Sequence, residues 1–194
     1  MQIGLFIFPK FCDTMRHMKI SVDTIYKFHQ ARTACHIACV NYFAGLTGHH
    51  FPEHDNDKNV EPMQTGYAYK NYASYHPEYN LTDKYAELFD NAHVSHHEHA
   101  SHHIEFYHGD VSKIPQIRLI EMICDWFSAN FEQVNIIHDY EYETVSGWFD
   151  AKMAHLNWSS SQLKTIRETI KLLEQKADRA ELLKIWSPVA NTHI

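Results

Sequence analysis

The chain has 194 residues, 44% of them hydrophobic and 21% charged, with a formal net charge of -7 and only six Gly and six Pro. That length suits one domain with a real core, and the composition argues against a disordered or loop-rich chain. The acidic balance argues against a general nucleic-acid binder, because neutralising a phosphate backbone needs a basic surface; a small phosphorylated substrate held by a metal stays compatible with it.

The opening residues 1–8 are apolar but too short to span a bilayer, and no basic segment precedes them as in a signal peptide. They read as a short edge strand or a tail against the body, residues 1–20 as an N-terminal extension, and Met15 and Met18 as alternative starts. The cysteines are Cys12, Cys35, Cys39 and Cys124, with no C-x-x-C spacing. No disulfide framework is implied, which favours a reducing compartment and a cytoplasmic location without a membrane.

Ser21 or Asp23 caps the first predicted helix, which runs through Ile25, Phe28, Ala31, Cys35, Ala38 and Tyr42 and ends near Gly45 and Gly48. Cys35 and Cys39 share a face and pack as small apolar residues. His29 and His36 lie two turns apart on one side. His29 reads as a satisfied side chain and His36 as a candidate ligand. Pro52 is placed in the first turn of a second helix carrying His54-Asp55-Asn56-Asp57-Lys58. Lys58 then shares a side with His54, where it holds a phosphate or forms an ordinary surface ion pair; Asp57 faces solvent or caps locally. Residues 61–81 carry Tyr67, Tyr69, Tyr72, Tyr75 and Tyr79, interrupted by Pro62, Gly66 and Pro77, and read as a loop or short helices covering a site.

Thr82 or Asp83 caps a long helix through Tyr85, Leu88, Phe89, Ala92, His93 and His96. Six of the chain's 17 histidines lie between His93 and Glu105. His93, His96, His97 and Ala100 recur at helical spacing, and His103 continues that side. Three readings compete: a surface metal sponge, a zincin helix, and a buried site in which selected histidines are ligands, which the helix pattern and the distant partners favour. The zincin fails, because His97-Glu98 is followed by His102, one residue too late for H-E-x-x-H. Neighbours in each doublet diverge by about 100° on a helix, so one member of each binds. Pro115 opens the next helix, with Ile114, Ile117, Ile120, Ile123, Trp126 and Phe127 apolar and Asp125 beside them, one turn from Glu121. Two scaffold helices follow, near residues 143–155 and 161–185, with Trp148 and Trp158 packed among them.

The order His36, His54-Asp55, a helical His, His102-His103 and Asp125 resembles the HD-domain metal-dependent phosphohydrolase superfamily. The lysine three residues after the His-Asp pair and the extra histidines are similar to its binuclear branch, including the HD-GYP phosphodiesterases, although the Gly-Tyr-Pro signature is absent. A closer resemblance, over residues 30–175, is to small bacterial and phage proteins of no established activity. Their pattern is His…His-Asp-x-Ser-Lys…Ala-x-x-His-His…His-His-Pro-Glu…Ile-Glu-Met-x-Cys-Asp-Trp, with Asp57 here for Ser and Ile104 for Pro. The resemblance implies an all-α, HD-domain-like helical bundle, as a single domain over residues 21–194. It implies a first metal on His36, His54, Asp55 and Asp125. Asp55 would bridge to a second metal, held by His97 and one of His102 or His103. Two divalent ions are expected, with iron, manganese, zinc and nickel all suited to these donors. Lys58 would stabilise phosphate charge, and Glu105 would orient a ligand histidine. The implied activity is hydrolysis of a nucleotide or other small phosphoester by a metal-activated water. The alternatives are a di-iron oxygenase of the HD type and a non-catalytic metal-binding protein. A small phosphorylated substrate is the expected partner, and an oligomer is compatible with the sequence.

Overall fold

The structure is a computed structural model that describes residues 20–190. The expected edge strand or tail, the alternative starts and Cys12 lie outside the described residues. Among the described residues every regular element is helical: α1 Val22–Leu46, α2 Met63–Tyr75, α3 Asp83–His99, α4 Gln116–Glu132, α5 Val145–Lys152, α6 Ser160–Lys176 and α7 Arg179–Ala190. The all-α expectation therefore holds. Among the described residues no helix is long and apolar enough to cross a membrane.

Helix α1 is the axis, packed against α2, α4 and α7. Ser21 caps it, its hydroxyl accepting from Thr24 N at 3.0 Å. Its inner face buries Ile25, Phe28, Cys35, Cys39, Val40 and Phe43. Both cysteines pack as small apolar groups, and burial pushes their thiols up, to about 11 for Cys35 and about 12 for Cys39. Of the two alternatives for residues 61–81, the structure shows a helix, α2, over Met63–Tyr75, with Tyr79 in the turn that follows; Tyr67, Tyr69, Tyr72 and Tyr75 are all buried. Gly66 does not interrupt it. A Cβ there would stand 2.8 Å from the Leu88 carbonyl carbon and 2.9 Å from Phe89 Cα, so the glycine lets α2 and α3 approach closely.

Three further expectations are corrected. Residues 52–58 form turns and a single 3-10 turn, Asn56–Asn59, not an α-helix. Asp55 sits in the left-handed region at φ 57°, a conformation in which Asp is enriched, and this stops helical continuation. Helix α3 ends at His99, so His102 and His103 project from the following turn and do not continue the helix face. The long C-terminal helix is two helices. Ala177 is extended at ψ 125°, and Asp178 restarts the chain as a cap, its carboxylate accepting from Ala180 N at 2.8 Å. On α4, Ile117 is 45% exposed, so the apolar side runs through Leu119, Ile120, Ile123 and Phe127. Trp158 is buried, and Trp148 meets Trp126 edge-on at 5.0 Å.

Candidate metal centre

Four segments deliver polar side chains to one buried place. Helix α1 brings His36, the 52–55 turn brings His54 and Asp55, the end of α3 and its following turn bring His96, His102 and His103, and α4 brings Asp125. His36, His54, Asp55, His96 and His102 are all at most 5% exposed. Burying so many polar atoms is unfavourable unless something satisfies them.

The ring nitrogens on the outer side are satisfied. His36 Nδ1 meets Ser128 Oγ at 3.0 Å, and that hydroxyl also donates to the His36 carbonyl at 3.3 Å. His54 Nδ1 meets Glu121 Oε1 at 3.1 Å, and His96 Nδ1 meets Asp57 Oδ2 at 2.7 Å. With the serine proton on the carbonyl and carboxylates unable to donate, each Nδ1 carries the hydrogen. Each Nε2 is thereby left to face inward, where the neutral form of the ring would ligate a metal.

The inner atoms are not satisfied. Among the described residues six buried side-chain N or O atoms lack a hydrogen-bond partner, and four of them are here: His36 Nε2, His54 Nε2, His102 Nε2 and Asp55 Oδ1. They face one another at ligand–ligand distances. His36 Nε2 is 3.0 Å from Asp125 Oδ1 and 3.3 Å from Asp55 Oδ2, and His54 Nε2 is 3.6 Å from Asp125 Oδ1. Beyond Asp55, its Oδ1 lies 3.1 Å from His96 Nε2 and 3.5 Å from His102 Nε2, while His103 Nε2 is 3.0 Å from His96 Nε2. Donors about 2.0–2.2 Å from a common ion stand roughly this far apart. The donor set therefore fits a metal site, with imidazoles and carboxylates in metal-binding groups.

Electrostatics point the same way. Burial opposes charge on His54, but Asp55, with Asp125 and Glu121, outweighs it and pushes its pKa up to about 10. Burial also opposes charge on Asp55, yet Lys58 and the surrounding histidines hold it well below the usual carboxylate range. Asp125 is held down likewise by His36 and His54. Lys58 and the surrounding imidazoles thus keep these carboxylates ionised, the form in which a carboxylate ligates a metal. His103, by contrast, is lowered to about 2 by burial and its neighbour His102, so it presents a neutral imidazole.

The structure brings His36, His54, Asp55 and Asp125 together with both His102 and His103, where one member of that doublet was expected. It places His96, not His97, against Asp55. His96 follows Ala92 by one turn on the buried side of α3, whereas His97 turns outward, stacking on His103 at 3.9 Å with its Nδ1 3.4 Å from Glu105 Oε2. Glu105 pairs with His97 and shares a possible metal-binding group with His97 and His103, while orienting His54 falls to Glu121, one turn before Asp125 on the same helix. Asp57, expected to face solvent or cap locally, is 42% exposed and holds His96 through one oxygen. Lys58 is not a surface pair: its Nζ is 2.6 Å from Asp55 Oδ2 and lies 5.0 Å over the Tyr67 ring. A cavity of about 380 Å³ opens onto His54, Asp55 and His102.

Residues 25–179 match the model of a family of unknown function, DUF5662. No curated protein and no solved structure matches the chain.

Proposed function

The chain belongs to this family, DUF5662, whose function is unknown, and we propose that its buried centre holds two divalent metal ions and hydrolyses a small phosphoester. The observation that carries the reading is the convergence of unpartnered buried donors on Asp55. Oδ2 of Asp55 faces His36 and takes Lys58, while Oδ1 faces His96, His102 and, at 3.8 Å, His54, so imidazoles from several segments meet at this single carboxylate. His36, His54, Asp55 and Asp125 would hold one ion; Asp55, His96, His102 and His103 would hold the other. Bound there, a pair of divalent ions supplies Lewis acidity to a phosphoryl oxygen and acidifies a water toward neutral pH. The protein's own part is orientation. Ser128, Glu121 and Asp57 fix three imidazoles, and Lys58 balances the charge of Asp55 where the two groups meet. The resemblance of the His/Asp order to the HD-domain phosphohydrolases supports the same chemistry.

The test is hydrolysis of p-nitrophenyl phosphate and bis(p-nitrophenyl) phosphate by protein reconstituted with Mn²⁺, Fe²⁺, Zn²⁺ or Ni²⁺. Turnover with at least one metal is expected, falling to background in Asp55→Ala and His54→Ala while far-UV circular dichroism is unchanged. Full turnover in Asp55→Ala would sink the site assignment. Oxygen consumption by the iron form without phosphoester hydrolysis would favour an oxygenase instead.

A further inference from the structure

We infer that Arg118 grips the substrate's phosphate at the mouth of the cavity, and that the substrate carries a single phosphate group. The inference rests on the phosphohydrolase reading and names the anion-recognising side chain within it.

Two cavities flank the metal centre. The larger, about 920 Å³, lies along α3 and is lined by His93, His97, His99 and Glu105, but by none of the inner donors. The smaller, about 380 Å³, has His54, Asp55 and His102 on its floor, so a reacting phosphorus reaches the centre from this side. Arg118 is the sole Lys or Arg among its lining residues. Lys58, to which sequence reasoning gave the phosphate contact, does not line the cavity. Its side chain is 12% exposed and its ammonium is engaged by Asp55.

Arg118 has the geometry for the task. Its side chain is 43% exposed, and its guanidinium makes one side-chain hydrogen bond, from Nη1 to Glu121 Oε2 at 2.5 Å. An arginine has five N–H donors in a planar fork that matches phosphate oxygens, so most of the fork stays available. Glu121 also holds His54, which ties the position of the cation to the metal centre. Helix stability does not explain the residue. Arg118 lies in the first turn of α4, where a positive side chain opposes the helix dipole. The other walls carry Glu53 and Asp57, which repel a second anionic group. The cavity thus favours a small ester with one phosphate over a polyphosphate.

Orthophosphate is the probe. Metal-loaded parent, Arg118→Gln and Arg118→Lys proteins are titrated with it by calorimetry, and metal content is measured in each. Loss of a charge-assisted hydrogen bond predicts roughly 10- to 100-fold weaker phosphate binding in Arg118→Gln with metal content unchanged, and partial recovery in Arg118→Lys. Unchanged phosphate affinity in Arg118→Gln overturns the inference. Loss of metal from Arg118→Gln also overturns it, by showing that Arg118 only braces Glu121. If the parent hydrolyses esters while the variants bind phosphate as it does, this inference alone fails. If the parent neither hydrolyses esters nor binds phosphate, the phosphohydrolase reading fails as well.

Discussion

His29 and His36 stand seven residues apart on α1, both buried, yet their surroundings differ. His29 donates from Nε2 to the Lys58 carbonyl at 2.9 Å and accepts at Nδ1 from Asn71 at 3.0 Å, so both nitrogens are used. His36 uses Nδ1 on Ser128, and its Nε2 has no hydrogen-bond partner. The same contrast separates the carboxylates of α4. Glu132 accepts from Arg32 through both oxygens and from the Tyr75 hydroxyl at 2.8 Å. Asp125, two turns earlier, meets only imidazoles that are themselves unsatisfied. One polar cluster is complete with the protein's own atoms and serves the fold. The other leaves four buried donor atoms without a hydrogen-bond partner, the atoms to which the proposed metal centre assigns a cation.

The comparison breaks most visibly at the closed cluster. Glu132→Ala strands the buried Arg32 guanidinium and should destabilise the fold by about 3–5 kcal/mol, read by denaturant unfolding. Metal bound per folded chain should not change; if it falls, the two clusters are not separate. Next in size is acid. Burial lowers His29 to about 4, from an ordinary 6.5. A depressed imidazole stabilises the fold above its unfolded pKa and loses that contribution as pH falls. About 3 kcal/mol should therefore disappear between pH 6.5 and 4. His29→Gln, which can still donate to the Lys58 carbonyl, should show a flatter stability profile over that window; an equal acid slope would assign the loss to other groups. The smallest effect belongs to the open cluster's support. Glu121→Gln should weaken metal binding about 10- to 100-fold in chelator competition with little change in unfolding. Unaltered metal affinity would remove Glu121 from the centre.

Much of this was legible in the residues. Helix α1 and its Ser21 cap follow from spacing and patterning, whereas His36 and the His54-Asp55 pair were singled out by the residue order that resembles the HD-domain family. The choice between His96 and His97 followed from neither, because doublet neighbours differ by a third of a turn. Only the packing of Ala92 and His96 against the body decides which faces inward. Glu121 was visible as a carboxylate one turn from Asp125, but its partner His54 comes from 67 residues away in the chain. The turn that carries Asp55 was misread as helix because Pro52 is an ordinary helix opener. The left-handed backbone at Asp55 is a tertiary outcome. The break at Ala177 left no glycine or proline to mark it.

The central claim is that the open cluster is a metal centre built on Asp55. Metal content of protein purified without a histidine tag, measured beside Asp55→Ala, tests it most directly. The account predicts about two divalent ions per chain in the parent and their loss in the variant. No stoichiometric metal in the parent, or a content that Asp55→Ala leaves unchanged, would contradict it.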